Sequence, residues 1–157
     1  PGLLTQPLYE EPFVVLLPTG HPLEQAAIID APTLGQQNLL LLGAGHCFRE
    51  QVLQFCPECR QLSVSSDSMQ HTLEGGSLET IRLMVATGMG VTVLPYTSVS
   101  GYAHISDLLT IRPFAEPAPT RIVALAWRKS FPRPRVIALL TEAIRACPLG
   151  EAVRTLG

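Results

Sequence analysis

The chain has 157 residues, 46% of them hydrophobic and 15% charged, with a formal net charge of -2 at pH 7. That length fits one domain with a substantial core, and the low charge content leaves apolar surface for a partner to cover. No basic excess or Lys/Arg cluster is present to neutralise several phosphates, so this segment by itself is not expected to bind DNA. Its apolar runs also fall far short of the roughly 20 residues of a membrane helix.

The start, Pro1-Gly2-Leu3-Leu4, has no initiator Met, basic n-region or cleavage site, and it reads as a cut from a longer protein. Four cysteines are too few for a secreted disulfide scaffold, and three of them, Cys47, Cys56 and Cys59, are close together. A cytoplasmic protein with reactive thiols is expected.

In chain order, Pro7-Leu8-Tyr9-Glu10-Glu11-Pro12 leads into an apolar run at 13–17 that reads as a buried strand, closed by the turn Pro18-Thr19-Gly20-His21-Pro22. Asp30-Ala31-Pro32-Thr33-Leu34 is a short helical start ended by Gly35. A second apolar run at 38–42 is followed by Gly43-Ala44-Gly45 and a helix over 46–55, which Pro57 discourages from continuing. Short strands are expected at 62–65 and 69–73. Ser77 is placed to N-cap a helix whose Leu78, Ile81, Met84 and Val85 form a stripe, with Gly88 stopping it before a strand at 91–94.

Strands at 108–112 and 122–127 flank a proline-rich loop. A helix over 133–146 then places Val136, Leu139, Leu140, Ala143 and Ile144 on one face, and 149–157 reads as a tail. Alternating strands and helices point to an α/β fold with a mostly parallel sheet, whose ligand site lies beyond the strand carboxyl ends. The turns at 42–47 and 75–77 are candidate rims of that site.

The chemistry concentrates in Gly45-His46-Cys47-Phe48-Arg49-Glu50 and the cysteine nine residues after Cys47. Nine helical residues rise roughly 14 Å over about two and a half turns, placing Cys47 and Cys56 on opposite faces. A disulfide needs Cα atoms within about 7 Å. A reduced helix and an oxidised, partly unwound form therefore exclude each other, which is the logic of a redox switch.

A peroxide-reactive cysteine must be a thiolate, whereas a free thiol with a pKa of about 8.5 is mostly protonated at neutral pH. Cys47 has three aids: the positive end of a helix, the permanent cation Arg49, and His46 as a hydrogen-bond or charge donor. Oxidation would give a sulfenic acid that a second thiol resolves to a disulfide. Cys56 and Cys59 compete for that role, because Cys56-Pro57-Glu58-Cys59 is itself a C-x-x-C spacing that also allows a local disulfide or half a metal site. A zinc site built from Cys56, Cys59, His46 and His71 lacks a recognisable finger spacing, so no metal or other cofactor is expected. Cys147 reads as inert, His21, His71 and His104 as surface residues, and Arg121 by default as a solvated flank. No Gly-x-Ser-x-Gly elbow, phosphate loop or carboxylate pair appears.

Those residues, with Gly76-Ser77-Leu78-Glu79-Thr80-Ile81-Arg82-Leu83-Met84-Val85-Ala86-Thr87-Gly88-Met89-Gly90-Val91-Thr92-Val93-Leu94-Pro95, resemble the OxyR family of peroxide-sensing LysR-type transcription regulators. The resemblance covers nearly the whole chain. It implies a periplasmic-binding-protein-like regulatory domain of two α/β lobes: residues 1–10 as hinge and partial lobe I, 11–121 as lobe II with the redox cysteines, and 122–157 as the return strand and last helix of lobe I. The opening half of lobe I and an N-terminal helix-turn-helix for DNA are implied to be missing.

Residue by residue, the resemblance makes Cys47 the peroxidatic and Cys56 the resolving cysteine, with His46 and Arg49 as flanking residues. Glu50 stands where many relatives have Asp, and Arg121 matches an arginine that favours the thiolate. It implies a non-enzymatic, cytoplasmic regulator with hydrogen peroxide as effector, a homo-oligomer of two or four chains, and a cellular thiol reductant to reset it. Two rivals stand beside this reading: a LysR-type domain binding a small organic effector without redox chemistry, and a thiol oxidoreductase built on Cys56 and Cys59.

Overall fold

The computed structural model describes residues 2–57, 59, 74–99 and 107–157. In chain order the elements are β1 (Leu3–Pro18), α1 (Ala31–Leu34), β2 (Leu41–Leu42), α2 (Cys47–Phe55), β3 (Glu74–Gly75), α3 (Leu78–Ala86), β4 (Thr92–Pro95), β5 (Leu109–Pro113), β6 (Thr120–Arg128), α4 (Pro134–Arg145) and β7 (Arg154–Thr155). The strands expected at 62–65 and 69–73, with His71 and His104, lie outside the described residues. Two compact units divide the chain: Pro1–Pro12, Pro95–Ser100 and Thr120–Gly157 form one, and Phe13–Leu94 with Gly101–Pro119 form the other.

Strand β1 is 16 residues long and contributes to both units, extending well before the expected start at residue 13. Pro7 and Pro12 argue against a strand because proline cannot donate to a ladder. Pro7 is tolerated because the register with β6 shifts between Pro7 and Tyr9, so the regular pattern is already interrupted there.

In the first unit β6 pairs antiparallel with β1, from Leu3 opposite Arg128 to Pro12 opposite Thr120. The expectation of a C-terminal tail is corrected. Tyr9 pairs with Thr155 and Glu10 with Arg154, while the Leu156 N–H donates to the Leu8 carbonyl at 2.8 Å. A two-residue strand carries too little pattern to be read from sequence; the open side of β1 and the Arg154–Glu10 ion pair define it. The stripe on α4 is also not core. Val136, Leu139 and Leu140 are 45%, 58% and 43% exposed, and the helix instead buries Thr141, whose hydroxyl donates to the Ile137 carbonyl and stands 3.4 Å from Gln6 Oε1. Trp127 of β6 is half-buried beside Gln6 and Ile137.

The second unit holds the larger core. β5 runs antiparallel to β1, from Val14 opposite Pro113 to Pro18 opposite Leu109. β2 and β3 are parallel, with Leu41 opposite Glu74 and Leu42 opposite Gly75, and single parallel bridges join Leu39 to Val91 and Ile29 to Phe114. The expected mostly parallel sheet is therefore corrected to a mixed one among the described strands. Parallel pairing appears where a helix lies between the two strands, and β5 and β6 pair with β1 antiparallel. Val15, Leu17, Leu34, Leu40, Val52, Val85 and Leu94 are fully buried, each worth about 1.5–3 kcal/mol by removal from water.

Three ring contacts fix α2 against this core. Phe13 of β1 lies 5.6 Å from Phe48 and 5.3 Å from Phe55 between centroids, and Phe55 meets Phe114 edge-on at 5.3 Å. Phe48 and Phe55 are seven residues apart, two turns of helix, so one strand residue braces both ends of α2.

Candidate functional site

The parallel pair β2 and β3 feeds two helices. β2 leads through Gly43-Ala44-Gly45 into α2, and β3 leads through Gly76-Ser77 into α3, so the N-termini of both helices follow the carboxyl ends of adjacent strands. This is where α/β sheets place ligands. Ser77 accepts the Thr80 N–H at 3.2 Å and caps α3. α2 begins differently: Gly45 has φ of 93°, a left-handed value suited to glycine, and His46 occupies the cap position without a side-chain cap bond.

Cys47 is the first residue of α2 and is exposed with a free thiol. The first-turn N–H groups there carry partial positive charge. His46 and Glu50 are exposed on either side of it in sequence, and Arg49 is half-buried. The Arg49 guanidinium turns back to donate from Nη1 to the Leu42 carbonyl at 3.0 Å, tying the helix to the end of β2 and holding a fixed positive charge in the first turn.

The other end of α2 is a contrasting environment. Cys56 caps it, fully buried, with its N–H donating to the Val52 carbonyl at 3.1 Å. Its partner is Cys59: a disulfide joins the two, with Cα atoms 5.3 Å apart and the Cys59 N–H donating to the Cys56 carbonyl at 3.1 Å. Pro57 and Cys59 are again helical, so Cys56 is a break between helical stretches. Of the two thiols that sequence offered as partners for Cys47, the structure places Cys56 against Cys59 and leaves Cys47 apart from both.

Cys56 Sγ also lies 3.6 Å from the Ala31 carbonyl oxygen. Ala31 opens α1, which is capped by Asp30: Oδ1 accepts the Thr33 N–H at 2.8 Å, and these bonds to Thr33 hold the Asp30 carboxyl below the usual carboxylate range. Among the described residues no group of His, Cys, Asp and Glu is arranged to hold a metal.

Arg121 belongs to the other unit. Its Nε and Nη2 each reach Glu11 Oε1 at 2.8 Å, and the second oxygen of Glu11 accepts the Thr97 N–H at 2.8 Å. Glu11 is completely buried, and the sequence reading assigned it no role in the segment that leads into the apolar run. Burial is continuous over residues 13–17, so parity along β1 does not single Glu11 out; its partners, Arg121 and the Thr97 N–H, lie far away in sequence.

Residues 1–147 match the family described as the LysR substrate-binding domain. The chain belongs to that family. As a LysR substrate-binding domain it is 38% identical over 153 residues to a probable hydrogen peroxide-inducible genes activator of Streptomyces viridosporus, covering 95% of this chain and 47% of the relative. It is 34% identical over 140 residues to the DNA-binding transcriptional dual regulator OxyR of Escherichia coli K12, covering 89% and 44%. The chain thus spans about half the length of these curated relatives.

Among solved structures, the reduced form of the OxyR regulatory domain from Pseudomonas aeruginosa is 49% identical, with a TM-score of 0.80 over 94% of this chain and 68% of that one. A reduced form of OxyR from N. meningitidis is 39% identical, with a TM-score of 0.87 over 100% and 71%. The fold is accordingly that of a LysR regulatory domain, covering about one of its lobes in full. The expectation of a non-enzyme fits the regulator names of these relatives. No helix among the described residues is long and apolar enough to cross a membrane.

Proposed function

We propose that this chain is the effector-sensing part of a hydrogen-peroxide-responsive LysR-type transcription regulator. Peroxide oxidises Cys47 to a sulfenic acid, Cys56 attacks that sulfur to give a disulfide, and α2 unwinds at least in part to let them meet. His46, Arg49 and Glu50 serve to bind peroxide or favour the thiolate. The unit that holds α2 serves as the lobe that carries the cysteines, and the unit of β6, α4 and β7 belongs to the other lobe.

The observation that carries this reading is the asymmetry of α2: an exposed free thiol at its positive end and a buried cysteine at its other end, nine positions further along the chain. Similarity to hydrogen peroxide-inducible activators supports the choice of effector. In the whole protein, DNA is contacted by a separate helix-turn-helix, and closure of the disulfide alters how the chains of a homo-oligomer pair. A cellular thiol reductant in the cytoplasm restores the reduced state.

The test is peptide mapping of the full chain after one equivalent of hydrogen peroxide, with Cys47→Ser and Cys56→Ser alongside. A sulfenic acid trapped at Cys47 in Cys56→Ser, and no oxidation of the α2 cysteines dependent on peroxide in Cys47→Ser, is the expected result. Cys47 remaining reduced and untouched in every chain would sink the reading.

A further inference from the structure

We infer that Cys59 is a second resolving thiol, which takes the disulfide from Cys47 and passes this domain into a distinct oxidised state, Cys56 joined to Cys59. The inference rests on the peroxide reading above and adds a step to it. Three observations carry it. Cys56 and Cys59 already meet, with Cα atoms 5.3 Å apart, inside the range usual for a disulfide. Their pairing coexists with an intact α2, in which Cys47 remains a free, exposed thiol. Cys56 and Cys59 are both buried, at 0% and 2% exposure, whereas Cys47, the cysteine at the start of α2, is open to solvent.

The chemistry closes without any further reactant. The Cys47 thiolate attacks peroxide, the O–O bond breaks, and hydroxide leaves to become water, giving the Cys47 sulfenic acid. The Cys56 thiol attacks the Cys47 sulfur, an S–S bond forms, the S–O bond breaks, and a second water leaves. The Cys59 thiolate then attacks Cys56 Sγ, forming the Cys56–Cys59 bond and breaking the Cys47–Cys56 bond, and Cys47 departs as a thiolate that takes up the proton lost by Cys59. One peroxide has been reduced to two waters, Cys56 and Cys59 have each lost one electron, and Cys47 is unchanged.

The direction of the last step follows from the helix. A Cys47–Cys56 bond requires nine residues of α2 to be at least partly undone, with Phe48 and Phe55 pulled from Phe13. A Cys56–Cys59 bond requires nothing of α2. Transfer to Cys59 restores the helix and its ring contacts, so the unwound form becomes a transient whose lifetime Cys59 sets. Cys47, again free, can meet a second peroxide, but its resolver is now occupied.

The sequence supplies a direct readout. Arg49 lies between Cys47 and the other two, and Cys56 and Cys59 share the tryptic peptide of residues 50–60. A Cys47–Cys56 bond therefore crosslinks that peptide to the one ending at Arg49, and a Cys56–Cys59 bond does not. The fully reduced full chain is treated with one equivalent of hydrogen peroxide, quenched by alkylation at successive times, digested and weighed.

In the native chain the crosslinked species is expected to rise and decay into the internally bridged 50–60 peptide, with Cys47 recovered as an alkylated thiol. In Cys59→Ser and in Cys59→Ala the crosslink should persist at least about tenfold longer. A crosslink that persists equally in the native chain and in these variants overturns the transfer and leaves the peroxide reading intact. Internal bridging that appears equally fast in Cys47→Ser also overturns it, since Cys47 would then play no part. Cys47 that never oxidises in any chain overturns both. The native time course decides the order of events even where a variant fails to fold.

Discussion

The two ends of α2 are built to opposite specifications. At the start, a left-handed glycine, a cap residue without a side-chain bond and an exposed Cys47 leave donors and sulfur open to a small reactant. At the finish, Cys56 is enclosed by core, bonded to Cys59, and set against the carbonyl of Ala31. The same helix thus separates a thiol chosen for access from one chosen for shelter. Buried thiols are slow toward solutes but react readily with a sulfur delivered to them, so the arrangement makes the order of oxidation depend on who can be reached first.

The largest way to break this contrast is to remove its shared brace. Phe13→Ala takes away the ring against which both Phe48 and Phe55 pack, and a destabilisation of about 3–5 kcal/mol is expected for such a truncation. Denaturant titration of the full chain checks it. A loss under about 1 kcal/mol would mean that the rings do not hold α2.

A smaller effect is expected at the sheltered end alone. The Asp30 carboxyl, lowered by its bonds to Thr33, contributes stability that is fully present above the ordinary Asp range and is lost as pH falls through its lowered folded value. Acidification should therefore loosen α1 and the Ala31 carbonyl beside Cys56, and Asp30→Asn should flatten that part of the pH dependence. Thermal unfolding from neutral to acid pH, compared between the two chains, tests it; parallel profiles count against the cap.

The smallest stability effect belongs to the open end. Cys47→Ala removes an exposed thiol and should move the unfolding free energy by less than about 0.5 kcal/mol, while abolishing peroxide-driven oxidation at the α2 cysteines. If that variant is strongly destabilised, Cys47 is a packing residue and the contrast between the two ends fails.

Much of the exposed end was legible in the sequence. The run Gly43-Ala44-Gly45 before a segment bounded by Pro57 located α2 to within a residue, and Ser77 and Asp30 marked real caps, because these depend on local backbone chemistry. The sheltered end was less legible. That Cys56 meets Cys59 depends on how the chain turns after the helix, and C-x-x-C spacing left this open beside metal binding and pairing with Cys47.

Features set by distant partners were missed outright. β7 is defined by what β1 leaves open, and Arg121 finds a buried carboxylate 110 residues away. The stripe on α4 was correctly periodic, yet periodicity says only that a face is apolar and not that anything in the described chain covers it.

The placement of the aromatic residues gives the two units separate optical signatures. The chain has one tryptophan, Trp127, and it sits on β6 in the first unit, whereas Phe13, Phe48, Phe55 and Phe114 gather around α2 in the second. Indole emission consequently monitors the sheet of β1, β6 and β7. Phenylalanine fine structure in near-ultraviolet circular dichroism comes from these four packed rings and from the exposed Phe131 of the first unit, so oxidation that unwinds α2 will dim the contribution of the four rings while leaving the indole signal lit.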